Sequence, residues 1–322
     1  MNKDEYGKKL ISDVVASIIR NGGDQLLTSV ILTGSFGREE PTWTLDEKGE
    51  TVLKSDVEIA LVRKESTGSD AMATLKRNVC KEFKEDLNLM TFNEKRVSQA
   101  HNYNRSFQKP RYYTLFNFDF YNASKTIWGH DYISEITISL DDVDPYEAKR
   151  IVANRIGELV YLTNQSEDYY TRAQWKGKVM LAIGTAWLLL KKTYISNYHG
   201  QQEYLSKDGT IEAVLGRDFI KEYNQVFSFL RESAEPYEVE NAKLRGYVRQ
   251  INNEFISHKL NKSKVNNVMR VVKYASKYYR TGCKFGLFNF ENKILTSLIS
   301  QFSEGQELQL QYSAEVWHKC IY

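Results

Sequence analysis

Over its first 145 residues the chain switches between helical and strand spacing of its apolar positions. Leu10, Val14 and Ile18 form one stripe of a helix over Asp4–Arg20, which Asn21-Gly22-Gly23 ends. The strand-forming run Leu26–Leu32 leads directly into the turn Thr33-Gly34-Ser35-Phe36-Gly37. The polar stretch Glu39–Lys54, with Pro41 and Asp46-Glu47-Lys48-Gly49, reads as a surface hairpin insertion. Asp56–Val62 then alternates: Val57, Ile59 and Leu61 face one way, Asp56, Glu58 and Ala60 the other. A helix over Ser69–Glu85 follows, then strands near Leu89–Val97 and over Tyr112–Tyr121. In that last strand Phe116, Phe118 and Phe120 share one face, and Asn117, Asp119 and Tyr121 the other.

Asp144-Pro145 is a good N-cap and first-turn pair, and beyond it strand signals almost vanish. Helical periodicity runs through Ala148–Asn164, Tyr170–Tyr194, Ile211–Glu232, Val239–Lys259, Lys264–Arg280 and Phe290–Phe302. The expected architecture is therefore α/β: a mixed-sheet domain over 1–145, then an all-helical domain over 146–322. A chain of 322 residues is long enough for two such cores.

Composition narrows the class. The longest apolar run, Val179–Leu190, is too short to span a bilayer and reads as a buried helix. With a charged N-terminus and no apolar signal core, the expectation is no membrane span and a cytoplasmic protein. Three scattered cysteines indicate neither a disulfide framework nor a zinc knuckle, and the five histidines make no metal-ligand spacing. The net charge of +3 is small but uneven: Asn241–Lys284 holds 11 Lys/Arg and one acid, Glu254. That segment (243–284 between its outermost lysines) reads either as a solvated face or as a surface for an anionic acceptor or nucleic acid.

The order strand, Gly-Ser turn, excursion, strand bearing Asp-x-Glu carries chemistry. A glycine turn opening onto a helix lets backbone N–H groups approach phosphate oxygens, and the Ser35 hydroxyl adds a donor. Alternation puts Asp56 and Glu58 on one face, where two carboxylates about 4 Å apart repel by roughly 4 kcal/mol at an effective dielectric near 20. A cation removes that repulsion, and hard oxygen ligands suit Mg²⁺. Two metals bridged by shared carboxylates activate an attacking hydroxyl and stabilise a departing pyrophosphate. Asp119, placed mid-strand among phenylalanines, is the candidate third carboxylate, as metal bridge or proton acceptor. Arg38 reads equally as a phosphate clamp or a surface arginine.

The segments Leu32-Thr33-Gly34-Ser35-Phe36-Gly37-Arg38 and Ser55-Asp56-Val57-Glu58-Ile59 resemble the two signature motifs of the DNA polymerase β-like nucleotidyltransferase superfamily. Phe118-Asp119-Phe120 followed by Ile127-Trp128-Gly129 is similar to that superfamily's third-carboxylate strand and the apolar-Gly turn after it. The resemblance implies a mixed-sheet catalytic domain, two Mg²⁺ ions, a nucleoside triphosphate donor, pyrophosphate release and a helical second domain. It also implies a lysine on an early helix of that domain holding the triphosphate tail. Lys178 in Trp175-Lys176-Gly177-Lys178 is the best match and Lys176 the second. The gap from Gly34-Ser35 to Asp56 is longer than is common in the superfamily.

The expected function is transfer of a nucleoside monophosphate to the hydroxyl of an acceptor that the sequence does not identify. Its rivals are a non-catalytic nucleotide- or RNA-binding module on the same fold, and an oligonucleotide synthase or polymerase. No Walker lysine follows the Gly34 turn and no Gly-x-Ser-x-Gly elbow is present, so neither a P-loop ATPase nor an α/β-hydrolase is supported.

Overall fold

The computed structural model describes residues 3–45, 51–98, 113–163, 168–232, 234–258, 260 and 290–320. They divide into two compact units. Among the described residues, the first holds those up to Asp142 together with Ser196–Tyr198, and the second holds Val143–Ile195 and those from His199 onward.

The first unit is mixed α/β. Helix α1 (Lys3–Arg20) and the short α2 (Gly23–Leu26) precede β1 (Leu27–Leu32), which runs into the single turn α3 (Gly34–Gly37). Strands β2 (Trp43–Leu45) and β3 (Thr51–Leu53) pair as the expected hairpin. It is anchored, because the Trp43 ring meets the Tyr6 ring of α1 edge-on at 5.8 Å. Then follow β4 (Val57–Arg63), α4 (Ser69–Lys81), β5 (Leu87–Asn93), α5 (Glu94–Ser98), α6 (Leu115–Ala123) and β6 (Lys125–Gly129). The four-stranded sheet has the order β5-β4-β1-β6. β4 pairs parallel with β5, whereas β1 pairs antiparallel with both β4 and β6.

Both faces of this sheet are covered, and the alternation of β4 decides which residue serves which. Val57, Ile59 and Leu61 join Leu10, Val14 and Ile18 of α1 and Leu75 and Val79 of α4 in one core. Ala60 and Val62 face the other way, toward Val97, Phe120 and Tyr121. By parity Glu58 belongs to this second face, and Asp56 immediately precedes the strand.

Three readings of the first unit are corrected. The expected strand over Tyr112–Tyr121 is helix α6. Thr114 caps it: its side chain accepts from Asn117 N at 3.1 Å, and the Asn117 side chain bonds back to Thr114 N, a reciprocal cap that outweighs the alternating phenylalanines. Phe116 and Phe120 therefore stack as an i,i+4 pair, with centroids 5.8 Å apart. The expected strand Leu89–Val97 stops at Asn93, whose side chain accepts from Lys95 N at 3.0 Å and starts α5. Ile127-Trp128-Gly129 lies in the edge strand β6 rather than in a turn.

Among its described residues the second unit is helical: α7 (Tyr146–Thr163), α8 (Tyr169–Leu190), α9 (Tyr198–Lys207), α10 (Gly209–Leu215), α11 (Asp218–Arg231), α12 (Asn241–Ser257), α13 (Phe290–Glu304) and α14 (Glu307–Cys320). Asp144 accepts from Tyr146 N at 3.0 Å, as its place before Pro145 suggested. The run Val179–Leu190 is the largely buried C-terminal half of α8, and no described helix is long and apolar enough to cross a membrane. The expected helix Ile211–Glu232 is two, since Gly216 adopts φ +86° after α10. The expected helix Lys264–Arg280, and with it most of the basic segment, lies outside the described residues. The described part of that segment is engaged internally: Lys243 pairs with Glu222, Arg245 with Glu307, and Arg249 donates to Ser303 O.

Lys149 of α7 is fully buried; its ammonium donates to Thr296 Oγ1 at 2.7 Å, and burial pulls its pKa from 10.5 down to about 8. Below pH 8 the folded protein bears the whole penalty of a buried charge. Between 8 and 10.5 the folded lysine is neutral while the unfolded one is still protonated, so stability rises with pH. Lys149→Met is expected to stabilise the protein by about 2 kcal/mol at pH 7. Urea unfolding at a series of pH values should show that advantage shrinking through the 8–10.5 window.

Candidate active site

The turn after β1 and the start of β4 are built against each other. Leu32 pairs with Ile59 in the antiparallel ladder, and Thr33 N donates to Glu58 O at 3.0 Å, carrying the pairing one step beyond the strand. The chain then turns sharply: Gly34 has φ +63°, and Gly37 N and Arg38 N each donate at 3.1 Å to Thr33 O and Gly34 O. A side chain at Gly34 meets two obstacles. The left-handed backbone disfavours it, and a Cβ there would overlap the Glu58 carboxylate, with Glu58 Cδ only 2.7 Å away. The acid of β4 is thus seated on the glycine of the turn.

Ser35, 8% exposed, has its Oγ buried with no hydrogen-bond partner among the described residues. Leaving a buried hydroxyl unsatisfied is unfavourable. On the other side of the turn, Gly37 lies against the end of α6, where a Cβ would come within 2.8 Å of Ala123 O. That close approach brings α6, and Asp119 on it, beside the turn.

Electrostatics ties the acids together. Glu58 is half-buried and its pKa is raised, first by burial and then by the charge of Asp56, while Arg38 pulls it down without cancelling the two. Arg38 is itself a largely buried cation. Burial opposes its charge, but Tyr198, Glu40 and Asp119 outweigh it and hold the guanidinium above its ordinary range. Its Nε donates to Glu40 Oε1 at 2.8 Å, and its guanidinium lies over the Tyr198 ring at 5.6 Å. The second oxygen of Glu40 accepts from Tyr198 N at 2.7 Å.

Of the residues singled out from sequence, Gly34, Ser35, Arg38, Asp56, Glu58 and Asp119 all lie in the first unit and are linked by contact or charge. Asp119 takes its place from a helix rather than a strand. Lys178 and Lys176 lie on α8 of the second unit. The Lys178 ammonium stands 3.7 Å from the Trp175 ring centroid, and Lys176 pairs with Glu238. Sequence reasoning missed Glu40 and Tyr198, which hold Arg38. A glutamate two residues beyond the arginine was a visible signal for the first; nothing local marked the second, which is 158 residues away from Glu40.

The donor set is all oxygen, which fits Mg²⁺. Among the described residues no group of three or more His, Cys, Asp or Glu is spaced to hold a metal alone. Mg²⁺ commonly takes one or two carboxylates and completes its shell with water and substrate phosphate. No protein-family model, curated protein or solved structure matches the chain.

Two substitutions probe the seat of Glu58. Gly34→Ala is expected to destabilise the protein by about 2–3 kcal/mol, through the left-handed backbone and the overlap with the carboxylate. Glu58→Gln removes a charge that burial and Asp56 both oppose, and is expected to stabilise by about 1 kcal/mol at pH 7. Paired urea titrations check both, and a stability loss in Glu58→Gln would contradict the electrostatic account.

Proposed function

We propose that the chain is a Mg²⁺-dependent nucleotidyltransferase of the DNA polymerase β-like superfamily, moving a nucleoside monophosphate from a nucleoside triphosphate to an acceptor hydroxyl. The observation that carries this reading is the Glu58 carboxylate held against Gly34, with the charge of Asp56, just ahead of β4, raising its pKa. An acid kept beside a second acid and against a phosphate-sized turn is poorly placed for stability alone and well placed for binding cations and polyphosphate.

In this reading the N–H groups of the Gly34 turn and the Ser35 hydroxyl hold the β- and γ-phosphates. Arg38, fixed by Glu40 and Tyr198, offers the rest of its guanidinium to a phosphate oxygen. Asp56 and Glu58 hold Mg²⁺, with Asp119 the third ligand or the proton acceptor. Bound there, Mg²⁺ would neutralise the triphosphate and polarise its phosphorus–oxygen bonds. The acceptor oxygen bonds to the α-phosphorus, the bond from that phosphorus to the bridging oxygen breaks, and pyrophosphate leaves. The acceptor's proton passes to Asp119.

Isothermal titration of ATP, GTP, CTP and UTP in the presence of Mg²⁺ is expected to reveal at least one binder, weakened at least tenfold in Asp56→Ala. No heat with any of the four would overturn the reading. Binding that survives Asp56→Ala/Glu58→Ala, with no pyrophosphate released against pooled acceptors, would favour a non-catalytic binding module instead.

A further inference from the structure

The excursion between the Gly34 turn and β4 is closed at its base by hydrogen bonds beyond the β2–β3 ladder. Lys54 N and Ser55 N both donate to Thr42 O, at 2.9 and 3.2 Å, and Thr42 N donates to Ser55 Oγ at 2.8 Å. The two arms of the excursion are thus joined just below the Trp43–Leu53 pair of the hairpin. Thr42 is 5% exposed, so this neck, rather than water, satisfies its backbone N–H and carbonyl.

Each arm of the neck leads into the candidate site. Two residues before Thr42, Glu40 N donates to Ser35 O at 2.9 Å, and the Glu40 carboxylate accepts from Arg38 Nε and Tyr198 N. One residue after Ser55 comes Asp56, which lies ahead of β4: the pairing of that strand with β5 starts at Val57. The sheet therefore sets Glu58 by register but approaches Asp56 from one side. On that side Val57 N donates to Asp86 O at 2.8 Å, and on the other the chain is tied to Thr42 through Ser55. A residue without an oxygen on its Cβ at position 55 would leave the buried Thr42 N–H without this acceptor. The neck relieves that cost by moving, and Asp56 moves with it.

We infer that Ser55 is a positioning residue for the candidate metal site: its hydroxyl keeps the neck closed and so sets where Asp56 stands relative to Glu58. The inference rests on the proposed reading of Asp56 and Glu58 as Mg²⁺ ligands, and in it Ser55 touches neither metal nor substrate. Mg²⁺ demands near-ideal octahedral geometry, so a site of two carboxylates is sensitive to the spacing between them. Groups that hold a metal ligand in place commonly matter to affinity almost as much as the ligand does. Because the neck is closed at its base, the length of chain between β2 and β3 does not alter the distance from the Gly34 turn to Asp56.

The test is titration of the full chain with Mn²⁺ alone, a paramagnetic stand-in for Mg²⁺, followed by loss of the free-ion electron paramagnetic resonance signal. The parent is expected to bind Mn²⁺, and Asp56→Ala to bind it at least tenfold more weakly. Ser55→Ala should weaken Mn²⁺ at least fivefold with the circular dichroism of the parent, and Ser55→Thr, which keeps the hydroxyl, should restore the parent affinity. Trp43→Phe, which loosens the hairpin's contact with Tyr6 outside the neck, should leave Mn²⁺ affinity within twofold of the parent. A parent that binds no Mn²⁺, or an Asp56→Ala chain that binds it equally well, overturns the metal reading and this inference with it. Binding lost in Asp56→Ala but unchanged in Ser55→Ala overturns the inference alone. So does Ser55→Thr as weak as Ser55→Ala, or an equal loss in Trp43→Phe.

Discussion

The arrangement of the first unit follows from one contact, the Glu58 carboxylate resting on the backbone of Gly34. It favours a residue without a side chain at φ +63°. It also requires β1 and β4 to stay in register to their ends, which the Thr33 N to Glu58 O bond extends past Leu32. Past that contact the chain turns through Ser35 to Gly37, where a second close approach follows. The end of α6 makes that approach. A glycine, a strand register and a helix position thus meet at one short turn.

Much of this was legible from residues. The helical stripe Leu10/Val14/Ile18, the apolar run ending at Leu32 and the alternation after Asp56 each have one dominant period, and each formed the expected element. The stretch around Asp119 was misread because two signals conflict. Phe116, Phe118 and Phe120 alternate like a strand, whereas Thr114 and Asn117 cap a helix, and the cap won. Asp119 still comes beside the turn because α6 covers the sheet face that carries Glu58. The support of Arg38 was legible only in part. Glu40 is its near neighbour in sequence, but Tyr198 arrives from a three-residue return of the chain to the first unit, which no local pattern encodes.

In the second unit, charge read along the sequence and charge read in space differ. The described cations of the basic segment meet acids or carbonyls from other helices: Lys243 reaches Glu222 on α11, and Arg245 reaches Glu307 on α14. Glu222, with a side chain 5% exposed, also accepts from Tyr237, so a buried carboxylate is satisfied twice by groups distant in sequence. Such pairings are invisible to a linear count. A run of lysines and arginines is therefore weak grounds for a nucleic-acid surface until their partners are known.

The balance at Glu58 constrains any ligand of the Gly34 turn. Arg38 lowers the pKa of Glu58, yet burial and Asp56 together still raise it. The local environment is therefore unfavourable to negative charge despite a guanidinium nearby. A polyphosphate brought to the turn alone would meet the same penalty, and the N–H groups of one short turn are modest compensation. Divalent cations at Asp56 and Glu58 would reverse the sign of that field at short range, where the half-buried setting screens it least. Under the proposed function, metal and nucleotide binding are for this reason coupled: each makes the site habitable for the other.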